Sequence, residues 1–264
     1  MTADLPSFDA PPVNETALDV QFTPIPGWII PYFGLFWSRI REEYPRCEVK
    51  PPLARQDERR PLTGGGLIQL EFLQQPEARC WFHDSTQHRL LQVQPDRFIH
   101  NWLKHGAPDV YPRYEKIRSI FEHEWTRFRE FVAAESLGTI AVTQCEVTYV
   151  NHLEQGREWA NLSDLSNVVT FWNGFSSTHP APDSIQTVAT FTRDDMQLRV
   201  QAQHAIRNAD LKEIVVFTLS ARGKPRSDQP QDILGCMDKA RAWVVKSFEE
   251  LTTPAMHKLW KRRS

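Results

Sequence analysis

The stretch QVQPDRFIHNW at 92–102 gathers two glutamines, an aspartate, an arginine, a histidine, an asparagine and a tryptophan. A second stretch at 201–208, QAQHAIRN, opens on the same Gln-x-Gln spacing. In a strand, successive side chains point to opposite faces. Gln92 and Gln94 therefore share a face opposite Leu91 and Val93, and Gln201 and Gln203 share one opposite Val200 and Ala202. The same alternation places Gln144 with Glu146, and sets Gln21 against the apolar Val20 and Phe22. An amide offers donors and an acceptor together, so a row of amides reads as a face that recognises a polar partner. Asp96, Arg97, His100, Asn101 and Trp102 beside it add charge, forked hydrogen bonding and a stacking surface. The plain alternative is a wetted sheet face, since a sheet covered on one side needs polar residues on the other.

If the chain is instead an enzyme on a small polar substrate, Glu146 is the acid/base candidate, with His100 or Arg97 assisting. Other chemistries find no motif. Thr63-Gly64-Gly65-Gly66 lacks the lysine of a phosphate loop and the spacing of a dinucleotide fold. His83, Asp84 and His88 crowd a hairpin turn and read as exposed turn residues rather than metal ligands. No GxSxG elbow occurs. Cys47, Cys80, Cys145 and Cys236 are widely spaced with no CxxC pair, so they read as reduced, mostly buried thiols. Neither a metal nor a cofactor is expected.

These side chains need a scaffold. Residues 17–23 alternate apolar and polar as a half-buried strand. Phe33, Trp37, Ile40 and Tyr44 form a helical stripe that Pro45 ends, and the polar, proline-rich residues 46–64 read as a loop. Strands follow at 67–73, 78–82, 90–94 and 98–103, then an amphipathic helix at 114–132. After Gly138 a long strand at 139–152 leads to a short helix at 159–165. Strands at 168–172, 184–192, 197–207 and 213–222 come next, and a helix at 230–251 follows. Laid on one another, CWFHDSTQHRLLQVQ and ATFTRDDMQLRVQAQ match without a gap, and ALDVQFT matches QCEVTYV. The expectation is an α+β fold with an extended lead-in at 1–15 and two similar halves, 16–138 and 139–264. Each half runs strand, helix, antiparallel meander and long helix, and the helices cover one face of a curved sheet.

Lys and Arg total 31 against 33 Asp and Glu, a net charge of −2, so no global field favours nucleic acid. Binding of nucleic acid on the sheet, with Trp102 stacking on bases, is the less favoured reading for want of a dense basic stripe. The basic run KLWKRRS reads as a solvated helix end. No apolar run approaches the ~18 residues of a membrane span, and the acidic, proline-rich start lacks the features of a signal peptide. A cytoplasmic protein is expected.

Several of these segments carry a resemblance. Pro11-Pro12-Val13-Asn14-Glu15 leading into Asp19-Val20-Gln21-Phe22, LFWSRIREEYP at 35–45, LQVQPDRFIHNW, YPRY at 111–114 and QCEVTYVN at 144–151 resemble the signatures of a sporadically distributed bacterial protein family. The similarity spans most of the chain and implies no catalytic residues. A scattered distribution implies accessory or mobile genes, such as toxin–antitoxin or phage-defence loci. The leading expectation is a non-enzymatic binding or regulatory protein that engages a partner protein through its polar sheet face and is compatible with homo-oligomers.

Overall fold

The computed structural model describes residues 5–54, 78–106, 109–174 and 179–263. The first half supplies β1 (Ser7–Phe8), β2 (Val13–Phe22), α1 (Pro31–Ile40), β3 (Arg46–Lys50), β4 (Arg79–His83), β5 (Arg89–Gln94), β6 (Arg97–Leu103) and α2 (Tyr114–Ala134). The second supplies β7 (Val142–Glu154), a 3-10 turn (Leu162–Asn167), β8 (Gln186–Arg193), β9 (Met196–Ile206), β10 (Glu213–Gly223), α3 (Pro230–Glu250), α4 (Pro254–Leu259) and β11 (Arg262–Arg263).

Nine strands form one antiparallel sheet in the order β3-β4-β5-β6-β2-β7-β10-β9-β8. Each half opens on its innermost strand, and the last strand of its meander returns beside that strand. The halves meet where β2 pairs with β7. This is the α+β arrangement that the alternating pattern implies, with α1, α2 and α3 on one face.

Burial on that face is aromatic. β2 turns Leu18, Val20 and Phe22 toward the helices, and β7 turns Cys145, Val147 and Tyr149. The α2 stripe of Ile117, Phe121, Trp125, Phe128 and Phe131 lies against them. Phe98 of β6 sits 5.0 Å from Phe128 and 5.4 Å from Trp125. Phe36 of α1 meets Phe128 edge-on at 5.5 Å, a favoured aromatic geometry. In the second half Ile233, Met237, Ala240, Val244 and Phe248 line the buried side of α3. Outside the ladder Thr23 N–H donates to Ala141 O at 2.9 Å across the two halves, and within the first half the turn before α1 is tied to the residues after α2. Gly27 donates its N–H to Leu137 O at 2.9 Å, and a Cβ there would stand 2.7 Å from that oxygen.

Several expectations need correction. The lead-in is not merely extended, because β1 pairs with β11 in a small clasp and β2 already begins at Val13. KLWKRRS is not a solvated helix end. Trp260 is fully buried 5.2 Å from Phe248, and its apolar anchoring draws Arg262 and Arg263 into the clasp. Within 46–64, Arg46–Lys50 is a strand paired with β4. The first helix ends at Ile40, and Tyr44 follows in a turn where its carbonyl accepts from Trp37 Nε1. The helix expected at 159–165 is the 3-10 turn, begun by a reciprocal Asn161–Asp164 capping box. Residues 168–172 make a single bridge, Val169 to Thr252, because Val168 and Val169 bury into the core instead of a ladder. The strand expected at 67–73 and Thr63–Gly66 lie outside the described residues.

Among the described residues, the two edges of the sheet differ. β3 is short and carries Arg46, Glu48 and Lys50, the charges that usually guard an edge. β8 is eight residues long, is uncharged from Gln186 to Thr192, and leaves Val188 and Phe191 41% and 47% exposed.

Phe128 sits at the centre of the aromatic cluster, so Phe128→Ala should cost about 3–5 kcal/mol, read from the shift of the urea unfolding midpoint.

Candidate functional site

The strand registers line up the helix-free face in rows. One row runs Gln94, Arg97, Gln21, Gln144 across β5, β6, β2 and β7. The next runs Trp81, Gln92, Ile99, Asp19, Glu146, Arg222, Gln197 from β4 to β9. A chain of hydrogen bonds ties four strands together. Arg79 Nη1 donates to Gln92 Oε1 at 3.0 Å, Gln92 Nε2 to Asn101 Oδ1 at 2.8 Å, and Asn101 Nδ2 to Glu15 Oε1 at 2.5 Å. Arg97 Nη2 donates to Gln21 Oε1 at 2.6 Å, and Gln94 Nε2 donates to Asp96 Oδ1 in the β5–β6 turn at 2.6 Å. The amides thus build a network across the sheet, which their paired donors and acceptors allow and lysines or glutamates would not.

The face is not simply wetted, as a one-side-covered sheet would suggest. Gln21, Gln92, Gln94, Arg97, Asn101 and Gln144 are all buried. Part of the cover is local: the chain beyond β3 crosses β5, where Leu53 N–H donates to Gln94 Oε1 at 3.0 Å and Gln94 Nε2 donates to Leu53 O at 3.3 Å. Leu90 and Ile99 are buried among these polar groups.

At the centre, Asp19 and Glu146 face each other across β2 and β7. Each carboxylate has an arginine on its outer side: Arg97 Nη1 lies 3.7 Å from Asp19 Oδ2, and Arg222 Nη1 lies 4.0 Å from Glu146 Oε2. Burial pushes the Asp19 carboxyl up to about 7; Arg97 opposes the shift, while Glu146 and Asp96 add to it. Burial also raises Glu15, against the hydrogen bond from Asn101. Among the described residues, the buried polar atoms of this face without a hydrogen-bond partner include Asp19 Oδ1, Arg97 Nε, Arg79 Nε, Trp81 Nε1, both ring nitrogens of His83 and His152 Nδ1.

Two residues expected beside the amides lie on the other face. In β6, Phe98 packs on α2, and alternation carries His100 and Trp102 to the same side. Trp102 is buried edge-on to Tyr111 at 5.4 Å and offers no stacking surface. His100 Nδ1 lies 2.6 Å from Glu124 Oε2 of α2, and Tyr44 donates its hydroxyl to Glu124 Oε1. Burial, then the Glu124 charge, hold the Tyr44 phenol well above its ordinary range. Glu146 and His100 therefore stand on opposite faces, and no common substrate reaches both. Gln201 and Gln203 share the polar face but lie in other rows, opposite Thr218 and Val216, where they bond to one another at 3.1 Å.

The hairpin histidines diverge. Asp84 accepts from Thr86 Oγ1 at 2.7 Å and from the Arg89 N–H at 3.0 Å, while His88 Nδ1 lies 2.9 Å from Leu103 O. No three His, Cys, Asp or Glu side chains converge on a metal position among the described residues. Cys80, Cys145 and Cys236 are buried thiols and Cys47 is exposed. Sequence reasoning missed Glu15, Asp19, Arg79, Trp81 and Arg222. The signal for Asp19 was present, since it stands two residues before Gln21 on the same face. Arg222 becomes visible only through its register with Glu146.

No family model matches the chain, and neither a curated protein nor a solved structure matches it. No helix among the described residues is long and apolar enough to cross a membrane.

Two outcomes follow from this geometry. Because the folded-state value of Asp19 is raised above 3.8 to about 7, its protonated form stabilises the fold fully below the unfolded value. That contribution is lost as pH rises through the folded one. Asp19→Asn should therefore gain stability relative to the wild type as pH rises from about 4 to about 7, with no further gain above, measured as urea midpoints across the range. Glu124→Ala should cost about 3–5 kcal/mol in the same assay, because it strands the buried Tyr44 hydroxyl and His100 ring together.

Proposed function

We propose that this chain is a non-enzymatic cytoplasmic binding or regulatory protein that engages a partner protein through the polar face of its sheet. The observation that carries the reading is the ordered polar face itself, where Asp19, Glu146 and Arg222 stay part-exposed at the seam and Arg79 and Trp81 stay part-exposed toward its rim. A partner that hydrogen-bonds to these side chains meets charged groups, whose contacts are stronger than neutral ones. The network around these groups is already ordered, so little side-chain entropy is lost when a partner arrives. Asp19 titrates near neutrality, so its charge state would tune capture with pH.

Two further proposals belong with this reading. The resemblance to a sporadically distributed family supports an accessory role, as in toxin–antitoxin or phage-defence loci. The matching segments of the two halves support an internal duplication. The match of ALDVQFT to QCEVTYV aligns Asp19 with Glu146, the same two residues that face each other in the sheet. Arg97 and Arg222 flank them from the last meander strand of each half.

The test is affinity capture from the native host, with mass spectrometry, for wild type and an Asp19→Asn/Trp81→Phe variant. The variant removes one oxygen's charge and one indole N–H with little change of shape. A stoichiometric protein held by the wild type and lost from a folded variant, checked by near-ultraviolet circular dichroism, is the expected result. Equal capture by both, or retention of a small molecule alone, would overturn it.

A further inference from the structure

On the helix side of the sheet a groove of about 890 Å³ runs between α2 and α3. Its size is that of a small-molecule site. Phe8, Val13, Tyr149 and Val244 give it an apolar floor. Its walls carry five cations, Arg113, Arg118, Arg241, Lys246 and Arg263, against two carboxylates, Glu115 and Asp238.

Those cations are not all committed. Asp238 spans the helices, accepting from Arg118 Nε at 2.9 Å, from Arg118 Nη2 at 3.2 Å and from the Tyr114 hydroxyl at 2.8 Å. Arg113 donates to Phe8 O at 2.8 Å and fastens the N-terminal segment across the groove. Arg263 is held by Asp9. Arg241 is the least committed of the arginines. Its guanidinium lies over the Tyr114 ring at 5.0 Å and hydrogen-bonds to Tyr149, its carboxylate contact among the described residues is the exposed Glu115 at 3.5 Å, and its buried Nε has no hydrogen-bond partner. Lys246 stands exposed about one and a half turns further along α3 and lines the same groove.

We propose that this groove binds a small anionic amphiphile, a molecule with one carboxylate or phosphate head and an apolar body. The body would lie on the Phe8–Val13–Tyr149–Val244 floor, and the head would meet the Arg241 guanidinium with Lys246 beside it. Excess positive charge above an apolar surface selects this chemistry over neutral or cationic ligands. The site is on the sheet face opposite the one assigned to the partner protein, so it extends the proposed function rather than restating it.

The test is fluorescence titration of the full chain with 1-anilinonaphthalene-8-sulfonate, an aromatic anion, under native conditions. Saturable binding is expected, weakened about tenfold in Arg241→Met, the loss of one charge-assisted contact. Lys246→Glu, at an exposed position that leaves the fold unaltered, should weaken it in the same direction. Dodecanoate and dodecyl phosphate should displace the dye, the tighter of the two identifying the preferred head group, whereas dodecyltrimethylammonium should not. Absence of saturable binding, unchanged affinity in Lys246→Glu, or equal displacement by the cationic detergent would overturn the proposal.

Discussion

The pairing of β2 with β7 is the constraint on which the rest of the architecture depends. It is the seam between two five- and four-stranded halves, and it sets Asp19 directly opposite Glu146. Like charges facing one another across strands are destabilising, and these two sit where burial makes charge costly. The surrounding chemistry answers that problem. Arg97 and Arg222 stand one on each outer side, Arg97 is fixed in turn by Gln21, and Asp19 holds its proton to near neutrality. The amide-rich stretch at 92–102 is thus part of the apparatus that lets a polar seam pass through the middle of a sheet.

The two faces handle buried polarity differently. On the helix side Tyr44 and His100 converge on a single carboxylate, Glu124, within an aromatic core, and the surroundings are dense. On the other side the polar groups form a lateral web from β4 to β2 and leave several donors and an acceptor unsaturated. The helix side also holds buried atoms without a hydrogen-bond partner, His100 Nε2 and Trp125 Nε1 among them, but the aromatic core encloses them. What distinguishes Asp19 as a candidate contact from the structural Glu124 is its place on the face that the helices do not cover.

Much of this was legible in the sequence because it follows from period. Alternation located β5, β6, β9 and β10 and put Gln21, Gln92, Gln94, Gln144 and Glu146 on one face, and the 3.6-residue stripe located α2 and α3. Errors arose where period gives no information. His100 and Trp102 were grouped with Arg97 by nearness in sequence, although their even positions in β6 point them at α2. The apolar run at 168–172 looks like a strand locally, yet its neighbours are the core and the end of α3. The burial of the polar face could not be read, since it depends on which segment crosses it, and Leu53 over Gln94 is a contact between residues 41 positions apart. The clasp between Ser7–Phe8 and Arg262–Arg263 is longer in range still.

The unequal edges of the sheet also limit growth. Strand addition at β3 must overcome a charged and short boundary, whereas β8 offers a long uncharged one. If two copies joined through β8, the enlarged sheet would present a β3 boundary at each end, and no further copy could be added on the same terms. Among the described residues the edges thus favour a closed pair over an open-ended chain of copies.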